Sequence, residues 1–234
     1  MSDMVSFGLG CYAKINLTGR RAKMVISALN VSKKYSKKNA LDDISFCVDK
    51  GQCFGILGKN GAGKSTFLKL VLGLIFPTQG DLKVFGEAPG KRSQKIGYLS
   101  ENLTIYPQLN AKDNLRVAAF SANNKLSGKE IEMMLERLSL DGNVKKLAKD
   151  FSLGMKRRLQ LGMATMTKPT DLIILDEPTN GLDVNGVIWL REYLLELRQQ
   201  GVTIIMASHS MTEMEANITD YVIFDKGKIA HIDQ

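Results

Sequence analysis

The nine residues Gly58-Lys59-Asn60-Gly61-Ala62-Gly63-Lys64-Ser65-Thr66 constrain this chain more than any other stretch. They fit the spacing G-x-x-x-x-G-K-[ST], after an apolar run (52–57) that reads as a strand. The spacing beyond them predicts a helix from about Lys64 to Leu74. A glycine-rich turn between a strand and a helix lets backbone N–H groups face inward around an anion, and the helix N-terminus adds a favourable dipole. Lys64 then brings a positive charge to the terminal phosphates, and the Ser65 hydroxyl suits Mg2+. The loop therefore predicts nucleotide binding; an ordinary glycine-rich turn would not need this strand and helix around it.

The surrounding pattern alternates. Strands are expected at 24–29, 45–48, 81–85, 95–99, 172–175, 202–207, 221–224 and 228–231, with helices between the later ones. Alternating strand and helix implies an α/β fold with a mostly parallel, doubly wound sheet. The short strands and turns ahead of Leu57 suggest an antiparallel portion near the N-terminus. From 111 to 168 the apolar residues fall at helical spacing, as in Ile131, Met134, Leu135 and Leu138, and no strand is expected. That block reads as an inserted helical subdomain, about 101–167, in a core made of 24–100 and 168–234. Residues 1–23 read as an extension, vector-derived or from an upstream start. Asp3 stands where a signal peptide carries positive charge, and Gly8 and Gly10 break its short apolar stretch.

A second chemical signal is the run Leu172-Ile173-Ile174-Leu175-Asp176-Glu177. Four apolar residues make a buried strand that ends in two carboxylates. Unpaired buried carboxylates are costly, so both belong at the exposed carboxyl edge of the sheet, where ligands bind. Asp176 would bind Mg2+, directly or through water, and Glu177 would polarise an attacking water.

Composition narrows the partners less. The 234 residues are 44% hydrophobic and 24% charged, as in ordinary soluble domains, and no apolar run is long enough to span a bilayer. The formal net charge of +8 favours polyanions, whether nucleic acid, nucleotide or an anionic leaflet, without choosing among them. Cys11, Cys47 and Cys53 are odd in number and fit no zinc spacing, which reads as reduced thiols.

With Asp176-Glu177-Pro178-Thr179-Asn180-Gly181-Leu182-Asp183 in view, the sequence resembles the ATP-binding cassette (ABC) family, the ATPase subunits of ABC transporters. The order of motifs agrees from Tyr35 to His209. The resemblance implies a RecA-like core with a helical subdomain, and ATP with Mg2+ sandwiched in a head-to-tail dimer. It implies separate membrane-spanning partner subunits at the cytoplasmic face of the membrane, with the ATPase peripheral and soluble when isolated. No nucleic acid is implied beyond the nucleotide. Residue by residue, it implies that Tyr35 stacks on adenine, that His209 in Ala207-Ser208-His209-Ser210 contacts the γ-phosphate, and that 180–183 links the two sites.

Two motifs depart from the family pattern. The usual Leu-Ser-Gly-Gly-Gln is Phe151-Ser152-Leu153-Gly154-Met155 here. Ser152 and Gly154 keep the positions that face the opposite subunit's ATP; Leu153 and Met155 are bulkier and apolar. Glu101, in Ile96-Gly97-Tyr98-Leu99-Ser100-Glu101-Asn102, stands where the family has Gln. That position joins Mg2+ and the attacking water to the surface meeting the membrane subunit. Both departures resemble the branch of bacitracin-type resistance and lantibiotic self-immunity ATPases. Competing readings are a soluble cassette acting on ribosomes or DNA, and a small-molecule P-loop kinase. The first would be expected to carry two cassettes or a long coiled coil. The second lacks a reason for the signature-like segment and His209.

Overall fold

Strands that are apolar on both faces belong in the middle of a parallel sheet, and the structure bears this out. In the computed structural model, residues 24–36, 38–92, 95–102, 104–166, 170–215 and 217–233 are described; the extension read at 1–23 lies outside them. A three-stranded antiparallel sheet is formed by β1 (Met24–Tyr35), β2 (Lys38–Asp49) and β4 (Gln79–Val84), in the order β2-β1-β4. A six-stranded sheet contains β3 (Cys53–Leu57), β5 (Ile96–Leu99), β6 (Leu172–Asp176), β7 (Thr203–Ser208), β8 (Asp220–Asp225) and β9 (Lys228–Asp233). Its order is β5-β6-β7-β3-β8-β9, parallel except for the β8–β9 pair. The helices are α1 (Lys64–Val71), α2 (Ala111–Ser121), α3 (Gly128–Arg137), α4 (Leu153–Ala164), α5 (Val184–Gln199) and the short α6 (Met211–Met214). Helices α2 to α4 fall between β5 and β6, as the expected helical insertion. No helix among the described residues is long and apolar enough to cross a membrane.

The period of two along each central strand separates two cores. Phe54, Ile56, Leu172, Ile174, Ile205 and Ala207 face the antiparallel sheet and α1. Cys53, Leu57, Ile173, Leu175, Ile204 and Met206 face α5 and the helical insertion. The first core is anchored by aromatic rings: Phe46 stacks on Phe54 at 5.3 Å, and Phe67 of α1 lies 4.9 Å from Phe46 and 6.0 Å from Phe224. The insertion docks onto the sheet through Gly97 of β5, where a Cβ would fall 2.1 Å from the Ala164 carbonyl oxygen; only glycine admits that approach.

Element ends differ from the sequence expectation for identifiable reasons. β1 runs six residues beyond Leu29 because Asn30 takes a left-handed turn (φ 51°) that breaks the alternation without ending the strand. The register shifts between Ala28 and Val31, and Asn30 Nδ2 donates to Asp43 Oδ1 across β2. Helix α1 stops at Val71 rather than Leu74, although the apolar run continues. Gly73 (φ 72°) closes it: its N–H donates to Leu70 O and that of Leu74 to Lys69 O, the paired bonds of a Schellman motif.

Cys47 and Cys53 are buried and form no disulfide, as read from the sequence; Cys11 lies outside the described residues. Burial pushes the Cys53 thiol up to about 12, against a small opposing pull from Arg198. Since the thiolate is the nucleophile, Cys53 in the native protein is expected to resist alkylation under mildly alkaline conditions and to react once the chain is unfolded. Peptide mass spectrometry after timed alkylation reads this directly; rapid native labelling of Cys53 would contradict its burial.

Candidate active site

Three neighbouring strands, β6, β7 and β3, end side by side at one edge of the sheet. From β3 the chain enters Gly58–Thr66, from β6 it passes through Asp176 into Glu177, and from β7 through Ser208 into His209. The glycine-rich loop bends tightly: Gly63 has φ 116°, and a Cβ there would meet Leu41 Cδ2 at 2.7 Å and Ala40 O at 2.8 Å. Ala62 N–H donates back to Lys59 O at 3.0 Å, and α1 begins at Lys64. A cleft of about 310 Å³ opens over this loop. Its walls include Lys59, Asn60, Gly61, Gly63, Lys64, Ser65 and Thr66, with Asp176 and Glu177 below and Tyr35 and Glu101 at the sides.

The charges in the cleft are unevenly compensated. Lys64 is buried, with Nζ donating to Gly58 O at 2.5 Å and lying 3.7 Å from Glu177 Oε1. Ser65 Oγ donates to Asp176 Oδ2 at 3.4 Å. Burial raises the Asp176 pKa, and the carboxylates of Glu101 and Glu177 raise it further; the Ser65 hydrogen bond and Lys64 oppose them. An acid held above its ordinary range by burial, and further by neighbouring acids, marks a site that a cation would stabilise. Among the described residues no group of three or more His, Cys, Asp and Glu is placed to hold a metal ion. A hydroxyl and one carboxylate at the foot of a phosphate cradle suit Mg2+, which binds through one or two protein oxygens, waters and substrate phosphates. The donor set therefore fits that ion.

Glu177 is held from three sides. It sits at φ 48°, a strained position for a residue with a side chain, while its N–H donates to Ala207 O at 2.9 Å. Its Oε2 accepts from Ser208 Oγ and His209 Nδ1, each at 3.0 Å. The Nδ1 nitrogen carries the proton in that contact, because a carboxylate only accepts. The acid is thus oriented by β7 with one oxygen toward Lys64.

The remaining expected residues meet this cleft to different degrees. Tyr35 ends β1 at the rim, half exposed, with Lys33 Nζ 5.3 Å from its ring centroid. His209 is outside the cleft lining and reaches it through Glu177. Ser152 and Gly154 line none of it; Ser152 caps α4, accepting from Met155 N–H, and faces solvent. In one subunit they contribute nothing to their own phosphate loop.

Three residues had roles that sequence reasoning missed. Arg157 belongs to the basic run Lys156-Arg157-Arg158 at the helix start, yet Arg157 and Gln160 are 5% and 2% exposed. Their spacing of three on a helix that also buries Leu159 and Leu161 was the available signal. Ser208 was read only as a neighbour of His209, and its hydroxyl holds Glu177.

Comparison with known proteins agrees with this geometry. Residues 41–180 match the family described as ABC transporter. The chain is similar to the linearmycin resistance ATP-binding protein LnrL of Bacillus subtilis (strain 168), 36% identical over 214 residues covering 89% of this chain and 68% of LnrL. It is similar to the lantibiotic transport ATP-binding protein SrtF of Streptococcus pyogenes, 37% identical over 202 residues covering 86% of each. It also resembles the bacitracin transport ATP-binding protein BcrA of Bacillus licheniformis, 36% identical over 214 residues covering 88% of this chain and 68% of BcrA. A solved ATP-binding subunit of an ABC transporter superposes with a TM-score of 0.79 at 28% identity over 90% of each chain. A cassette dimer bound to ADP and Pi has the same fold, with a TM-score of 0.79 at 21% identity over 89% of this chain and 98% of that one. Its loop, its acidic strand and these relatives agree: the chain belongs to the ABC transporter family, as an ATP-binding cassette that hydrolyses ATP.

Proposed function

We propose that this cassette works as a head-to-tail dimer at the cytoplasmic face of the membrane, coupled to separate membrane-spanning subunits, and that its ATP turnover drives export of, or immunity to, peptide antibiotics. The observation that carries the chemistry is the meeting of Lys64, Ser65, Asp176, Glu177 and Glu101 around one cleft. The names of two relatives, which speak of lantibiotic and bacitracin transport, carry the peptide substrate class. In this reading 24–100 and 168–234 form the core and 101–167 the helical subdomain.

The residues divide the work as follows. The backbone of Gly58–Thr66 and the Lys64 ammonium hold the triphosphate, and Tyr35 offers a ring face to adenine. Ser65 and Asp176, with Glu101 beside them, would hold Mg2+, which would supply positive charge next to the transferred phosphoryl group. Glu177 orients a water and takes its proton as the water oxygen bonds to the γ-phosphorus and ADP leaves. Ser208 and His209 keep Glu177 aimed, with His209 placed to sense the γ-phosphate. Ser152, exposed in one subunit, and the half-buried Gly154 complete the site of the other.

Glu101 tests the coupling. Glu101→Gln is nearly isosteric and removes a negative charge, while nucleotide affinity rests mainly on the phosphate loop. ATP affinity is expected to change by less than about tenfold, or ~1.4 kcal/mol. Antibiotic resistance in cells should fall more than the ATPase rate of the isolated subunit. Measuring both for the same variant, with co-purified membrane proteins identified by mass spectrometry, decides it. Collapse of isolated ATPase activity with intact cellular resistance would assign Glu101 to chemistry instead.

A further inference from the structure

Arg157 stands in the second turn of α4 with its guanidinium directed at three carbonyls in two separate segments. Nε donates to Asn180 O at 3.1 Å, Nη1 to Ser100 O at 2.9 Å and Nη2 to Glu101 O at 2.6 Å. Nη1 also donates to Gln160 Oε1 at 3.1 Å. Gln160 in turn donates Nε2 to Ser100 O at 3.2 Å, Asn102 O at 2.8 Å and Thr104 Oγ1 at 3.2 Å. Among the described residues Arg157 has no carboxylate at ion-pair distance; Glu101 and Asp176 act on it only at longer range. A buried guanidinium without an ion-pair partner is costly, and an apolar side chain would be easier to bury. Its fork is nonetheless satisfied by backbone carbonyls of two loops that flank the cleft.

A second contact joins the same parts. Leu153, beside the α4 cap, packs flat on Gly181: a Cβ there would fall 2.2 Å from Leu153 Cδ2. Gly181 keeps φ 80°, so the loop 178–183 presents a bare backbone to that side chain.

We propose that Arg157 is a positioning residue that clamps the Glu101 loop and the 178–183 loop to α4, so that both follow when the N-terminus of α4 engages the partner subunit's nucleotide. The inference rests on the reading above that Ser152 and Gly154 act across the dimer. It explains why the position needs a planar fork: three carbonyls at different angles suit the fixed donors of arginine, whereas a lysine ammonium reaches one of them well. Through this clamp, binding in one site reaches the Glu101 and Glu177 neighbourhood of the other without passing through the phosphate loop.

The test compares wild type, Arg157→Lys and Arg157→Gln by steady-state ATPase kinetics, thermal melting and amide hydrogen exchange. Small misplacements of catalytic groups cost up to ~10²-fold, so kcat should fall roughly 10–100-fold in both variants. KM for ATP should stay within about threefold, because the ground-state contacts remain. Exchange should rise together at 99–102 and 179–183 while β3 and α1 stay protected. Recovery of wild-type kcat by Arg157→Lys would show that charge alone suffices and overturns the clamp. So would a lower melting temperature with unchanged kcat per folded molecule, or loosening of only one loop. If wild type fails to hydrolyse ATP, the functional reading falls, and the exchange data still judge the clamp.

Discussion

Glu177→Gln is expected to bind ATP with near-normal affinity and to hydrolyse it about 10²–10⁴ times more slowly, the usual cost of losing a general base. The amide fits the same space, and its oxygen still accepts from Ser208 Oγ and His209 Nδ1. What it loses is the capacity to take a proton and the attraction to Lys64, whose Nζ lies 3.7 Å from Oε1. The triphosphate contacts, provided by Gly58–Thr66, are untouched. Binding without turnover should therefore trap the ATP-bound dimer, seen as an earlier-eluting species in gel filtration only when ATP is present. Single-turnover assays separate slow chemistry from slow release. Turnover within a few-fold of wild type would remove Glu177 from the role of base and move attention to Asp176 or a water chain.

Phe67→Ala is expected to cost about 3–5 kcal/mol of stability, the range for deleting a buried aromatic ring. Phe67 is fully buried between Phe46 and Phe224, and it ties α1 to the antiparallel sheet and to β8. For a chain of this size that corresponds to a fall in Tm of roughly 10 °C. Because α1 begins with Lys64 and Ser65, the loosened helix should also weaken ATP binding. Denaturant unfolding with and without ATP measures both effects. A loss below about 1 kcal/mol would mean that the cavity refills by collapse of Phe46 and Phe224, contrary to the close packing of such cores. Phe67→Leu, which keeps most of the volume, should cost much less.

The nucleotide cradle was legible in the sequence because its function is local. Nine consecutive residues hold the turn, the charge and the hydroxyl, and the flanking strand and helix have their own periodicities. The acidic strand was legible for the same reason. Helix and strand ends were less so. Asn30 keeps β1 going through a left-handed residue, and Gly73 stops α1 inside an apolar run; propensity reads the first as a break and the second as a continuation. Arg157 was illegible because its partners are 23 to 57 residues distant along the chain. A charge in sequence carries no sign of which carbonyls will surround it.

By itself, the amino-acid sequence determined which chemical groups are available and the spacing within each motif: the glycines with Lys64 and Ser65, the pair Asp176-Glu177, and Ser208-His209. Bringing those groups together was left to the tertiary structure. Ser65 and Asp176 are 111 residues apart and meet at 3.4 Å because β6 and β3 flank β7 in one parallel sheet. The same pairing brings Glu177 of the β6 end within hydrogen-bond reach of Ser208 and His209 at the β7 end. Parallel neighbours are chosen by the burial of two apolar strand faces against two different cores. That choice sums contacts from the whole chain, and no local run of residues contains it.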